Sequence, residues 1–88
     1  MDGKTHYGHV VQRFPERWRD IAALGQTSEE FRALCDDYRD AVEALRRWHA
    51  LTADPNAPAR IEEFARLVAE LEDEILVELN RDGGRPRS

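Results

Sequence analysis

From residue 31 onward, apolar positions return with a period that a β-strand cannot share. Phe31, Leu34, Tyr38, Ala41, Leu45 and Trp48 are separated by three and four residues in turn, and Ile61, Phe64, Val68, Leu71 and Ile75 take up the same rhythm after an interruption. This spacing puts each series on one face of a helix, in the alternation of a coiled-coil seam. Val42 widens the first stripe, and Leu67, Leu76 and Leu79 widen the second. The interruption, Thr52-Ala53-Asp54-Pro55-Asn56-Ala57-Pro58, holds two prolines with Asp and Asn and predicts a turn. The pattern therefore predicts long helices over residues 28–51 and 58–80.

Thr27 stands three residues before Glu30, the spacing of a capping box, and predicts the start of the first long helix. Upstream, Phe14, Trp18, Ile21 and Leu24 form an apolar edge. Pro15 suits a first helical turn and Glu16 the positive end of the helix dipole. A short helix is expected over residues 14–24, with Gly25 as a left-handed stop. Residues 1–12, which include Gly3 and Gly8, are read as a flexible N-terminus without helical period. Asp82-Gly83-Gly84-Arg85-Pro86 ends the last helix and predicts a flexible tail over 81–88.

The two seams are in register about a turn centred near residues 54 and 55. Leu34 then faces Ile75, Tyr38 faces Leu71, Ala41 faces Val68, Leu45 faces Phe64, and Trp48 faces Ile61; every pair is apolar. The expected fold is all-α, a short N-terminal helix followed by a long antiparallel, coiled-coil-like helical hairpin forming a single domain. Two helices cannot cover stripes of this width by themselves. Either the short helix folds back onto them, or a second copy completes a four-helix bundle about a two-fold axis. Trp18, Val42, Leu67, Leu76 and Leu79 are the interface candidates.

Length and charge sharpen this expectation. A chain of 88 residues buries only about 60–65% of its unfolded surface, so association with a partner would add to a modest core. The net charge of −5 is unevenly spread. Residues 58–80 carry seven acids against Arg60 and Arg66, mostly near the helix C-terminus, where the dipole disfavours them. Glu30, Asp37, Glu70, Asp73 and Glu74 define an acidic pole at the open end of the hairpin, with Asp37 brought close to Glu74. Such a pole is either a solvated surface or a docking site for a basic partner. The nearest basic segment holds Arg13, Arg17 and Arg19.

An acidic chain argues against nucleic-acid binding, and no run approaches the ~20 apolar residues of a membrane span. Cys35, the only cysteine, and the lack of a signal-peptide pattern fit a reducing cytoplasm. Its neighbours Asp36 and Asp37 disfavour the thiolate, so packing is its expected role. His6 and His9 lack the Cys and carboxylate company of a metal site. No nucleophile, phosphate loop or cofactor motif is present. The expectation is a non-enzymatic protein–protein interaction module that self-associates through the apolar flanks of its hairpin or binds another protein there; the alternative is a small regulator or inhibitor docking its acidic pole on a basic partner protein.

The run Phe14-Pro15-Glu16, Arg19-Asp20-Ile21, Leu24 and Phe31-x-x-Leu34-x-x-x-Tyr38 resembles the YdcH family of small bacterial helical-hairpin proteins. The likeness resumes at Leu71-x-Asp73-Glu74-Ile75 and Leu79, and spans about three quarters of the chain. It implies a short helix before a hairpin, a bacterial cytoplasmic setting and no established activity, and it supplies no catalytic residue. Ala41 departs from the family in being small. Glu70 to Glu74 depart by placing acids where the family tends to carry lysine.

Overall fold

The computed structural model describes residues 3–83, with side chains from Tyr7 to Arg81. Its architecture is all-α. Helix α1 spans Gly3–Arg13, α2 Trp18–Thr27, α3 Glu29–Ala50 and α4 Ala57–Gly83, with a single 3₁₀ turn at Pro15–Arg17 between the first two.

Helix α1 corrects the expectation of an irregular N-terminus. It kinks at Tyr7 (φ −119°, ψ 15°), and beyond the kink it is held by packing rather than by propensity, since Val10 is fully buried. Tyr7, Val10, Val11 and Phe14 stand at i, i+3, i+4 and i+7, a helical stripe that Gly3 and Gly8 obscure. Pro15 ends the helix. It drives Phe14 out of the α region (φ −127°, ψ 65°) and then occupies the first position of the 3₁₀ turn.

The short helix therefore begins at Trp18 and not at Phe14, and it runs through Gly25 to Thr27. Gly25 is not its stop: among the described residues no glycine has a positive φ. Gly25 is buried inside α2, where its missing Cβ leaves room for the ring of Tyr7. The break falls instead at Ser28, which is extended (φ −123°, ψ 113°) and accepts the Phe31 amide hydrogen on Oγ at 3.0 Å. The N-cap is thus one residue later than the Thr27 expected. Phe31 occupies the position where a capping box would need Glu or Gln. The Arg32 guanidinium ties the joint further, donating to the Gly25 carbonyl at 2.7 Å.

Between α3 and α4 the chain turns as the prolines predict. Asp54 Oδ1 accepts from the Asn56 amide at 2.8 Å, and the Asp54 carbonyl accepts from the Ala57 amide at 2.9 Å. The two helices pack along one another. Phe31 and Leu34 share a groove with Glu74 and Glu78. Ala41 and Ala44 share another with Phe64, Leu67 and Leu71. Helix α4 continues to Gly83, three residues past the expected end; the rest of the expected tail lies outside the described residues.

The core sits at one end of a molecule 54 × 27 × 21 Å in extent. It joins Val10 and Phe14, Ile21 and Leu24 of α2, Phe31, Cys35, Tyr38 and Ala41 of α3, and Leu71, Ile75 and Leu79 of α4. Cys35 is fully buried at its centre. Past Ala44, by contrast, no residue from 45 to 56 is buried, and none from 58 to 70. A covered head thus carries a bare two-helix arm, about 20 Å long at 1.5 Å per helical residue.

Candidate interaction surface

The head closes on itself partly through one carboxylate. Glu72 Oε2 accepts from Tyr38 Oη at 2.8 Å and from Arg13 Nε at 3.0 Å, linking α1, α3 and α4. Burial, and next the hydrogen bond to Glu72, raise the Tyr38 hydroxyl well above its ordinary range. The Arg13 guanidinium also lies over the Phe14 ring, 4.9 Å from its centroid. Arg17 reaches the far end of α4, donating to the Leu79 carbonyl and to Asn80 Oδ1 at 3.1 Å each, and pairs with Asp20 at 2.9 Å. Arg13 and Arg17 therefore dock on α4, but at Glu72 and the helix end rather than on the five acids of the expected pole.

Those acids are all exposed. Glu30, Asp37 and Glu74 are brought together, with Glu78, around an open groove of about 310 Å³ lined also by Phe31 and Leu34. Asp37 and Glu74 thus share one groove, as the heptad geometry implies. Glu70 and Asp73 do not line it. Glu78 pairs with Arg81 at 3.1 Å. Glu30, Asp37 and Glu74 have no ion pair among the described residues.

The five interface candidates separate. Leu79 is fully buried by its own chain and cannot meet a partner; α2 and the Arg17 contact cover the end of α4 where it lies. Val42 and Leu76 are half-buried and packed against the core. Leu67 and Trp18 are exposed, Trp18 at 52%. Trp18 stays exposed even though α2 is docked, because Ile21 and Leu24 are the residues α2 turns inward. Arg19 covers part of its ring at 5.1 Å. Leu51 and Val77, 50% and 53% exposed, were missed because one follows the last helical residue and the other falls outside the seam.

The arm adds a row of partly exposed apolar side chains. Leu45, Trp48, Ile61, Phe64 and Val68, the seam residues expected to cover one another, are each only half-buried. Beside them runs an open groove of about 460 Å³ between α3 and α4, floored by Ala41, Ala44, Phe64 and Leu71. Its small α3 side chains are the thin layer that the facing pairs already showed at Ala41.

Cys35 is buried, and that burial, with the neighbouring Asp36 carboxylate, pushes its thiol up to about 12, the reverse of an activated nucleophile. Among the described residues no group of three or more His, Cys, Asp or Glu is placed to hold a metal, and no helix is long and apolar enough to cross a membrane. His9 lies 3.9 Å from Glu43, across the contact between α1 and α3. Comparison with protein-family models, with curated proteins and with solved structures returned no match in any of the three. The likeness to the YdcH family therefore rests on the residues quoted for it.

Proposed function

We propose that the protein is a non-enzymatic interaction module that associates with a second copy of itself through the arm of an antiparallel α3–α4 hairpin. One observation carries this reading: apart from Ala57 at the turn no residue from 45 to 70 is buried, and the large seam residues Leu45, Trp48, Ile61 and Phe64 stay partly exposed. A two-helix arm of this kind gains most by burying its apolar side against another helical pair, at about 25 cal/mol per Å² removed from water. The family resemblance points the same way, toward a cytoplasmic hairpin without established activity. Sedimentation equilibrium over a wide concentration range tests it. The expected mass rises from that of one 10.2 kDa chain to that of two, and a strict monomer at every concentration overturns it.

A second reading is favoured by one separate feature, the three unpaired carboxylates of Glu30, Asp37 and Glu74 around a groove with apolar Phe31 and Leu34. It makes the protein a small regulator that docks its acidic pole on a basic partner. Affinity for a cationic amphipathic peptide that falls steeply with salt supports it, and affinity indifferent to salt removes it.

A further inference from the structure

We infer that the second copy seats on the groove between α3 and α4 about a two-fold axis near residue 42, bringing Arg47 of each protomer to Asp37 of the other. This rests on the self-association reading and adds to it the surface, the symmetry and the charged pair. The groove has a polarity along α3: Asp37 and Asp40 line the end toward the head, Arg47 lines the end toward the turn, and between them lie Ala41 and Ala44. Under a two-fold axis across the helix, acid meets base at both ends. Setting the two copies parallel would place Arg47 on Arg47 and Asp37 on Asp37.

The midpoint between Asp37 and Arg47 is residue 42, and this sets the axis. Ala41 and Ala44 on either side of it are buried, so they form the floor of the groove and the exposed residues around them make the contact. Both Arg47 and Asp37 are exposed and without an ion pair among the described residues, whereas Asp40 is held by Arg39 at 3.2 Å. Asp37 is thus the free acceptor. Leu67, exposed on α4 at the edge of the same groove, adds apolar area to the contact. The pairing is isologous, so it closes at two copies.

Charge reversal tests the register. Arg47→Glu makes every charged contact of the homodimer acidic, and Asp37→Arg makes every one basic. Each variant alone should weaken dimerisation at least about tenfold, with helix content unchanged because both side chains are exposed. An equimolar mixture should recover it, since the introduced glutamate then faces the introduced arginine while the native Asp37 and Arg47 of the two variants meet at the other end. Wild-type protein that dimerises while both variants do so unchanged overturns this register and leaves self-association standing. Wild-type protein that stays monomeric overturns both. Variants that weaken the dimer but do not recover on mixing overturn the pairing of these two residues.

Discussion

The head and the arm are built from the same two helices and the same spacing of apolar residues, yet only the head is buried. At the head, Phe31, Cys35, Ile75 and Leu79 are covered to within 1% of their surface, because α1 and α2 lie over α3 and α4 there. Along the arm, Leu45, Trp48, Ile61 and Phe64 are only partly covered, and Val68 sits at the edge of the core. A seam of 3-4 periodicity therefore says which face of a helix is apolar, and the elements around it decide whether that face is dry.

Substitution at matched isoleucines should break or confirm that contrast most strongly. Ile75→Ala, in the head, is expected to cost about 2–5 kcal/mol, the lost transfer energy together with a cavity. Ile61→Ala, on the arm, should cost less, roughly 1–2 kcal/mol in dilute protein, because its side chain is already partly exposed to water. Urea unfolding of the two variants at low concentration checks this, and equal losses would mean that the arm is as well packed as the head.

Alkaline pH should act on the head next. In the unfolded chain the Cys35 thiol ionises near its ordinary 9.0, whereas in the folded chain burial holds the proton to about 12. The folded state thus binds the proton more tightly. Stability from this group is complete below pH 9 and is lost as pH rises from 9 toward 12. The Tyr38 hydroxyl, raised in the same sense, adds to the loss at the upper end. Thermal melting across this range should fall with pH, and Cys35→Ala should flatten its lower part. The same thiol should react with a disulfide reagent at pH 8 only as fast as the head opens.

Two glycines give a smaller and sharper comparison. At Gly8 an added Cβ meets nothing within 4 Å, so Gly8→Ala should stabilise the helix by up to about 1 kcal/mol through propensity. At Gly25 the same Cβ would lie 2.8 Å from Tyr7 Cζ. Gly25→Ala should lose that gain or reverse it, and a Tyr7→Ala background should restore it. Identical gains at both sites in differential scanning calorimetry would remove Tyr7 from its seat. The smallest effect is expected at the acidic groove, where Glu74→Lys should stabilise by a few tenths of a kcal/mol, about the value of one surface pair.

What was legible in the sequence follows the same division. The two long helices and the turn between them were readable because each seam repeats many times and two prolines mark the break. Leu79 was placed on an open flank because seam spacing alone does not show that α2 and Arg17 close over it. Helix α1 carried its stripe at Tyr7, Val10, Val11 and Phe14, but two glycines concealed it, and Val10 is buried only through contacts distant in sequence. Ser28 was passed over for Thr27, since both can cap and the choice depends on which one is extended. Of the acidic pole, Glu30, Asp37 and Glu74 do share a groove. Glu72, the acid that organises the head, was indistinguishable in sequence from its neighbours until Tyr38 and Arg13 were seen to meet on it.

The division into covered head and bare arm is tested most directly by residue-resolved hydrogen exchange at two protein concentrations. In dilute protein the amides of residues 31–41 and 71–79 should be protected most, and those of 45–50 and 60–68 should exchange faster. At high concentration the arm amides should slow together with those of 37–44 along the proposed contact, while the amides of 31–35 and 75–79 stay as they were. Protection that is uniform along α3 and α4 at both concentrations, or that grows around Trp18 and Val77 instead of the arm, would contradict the account.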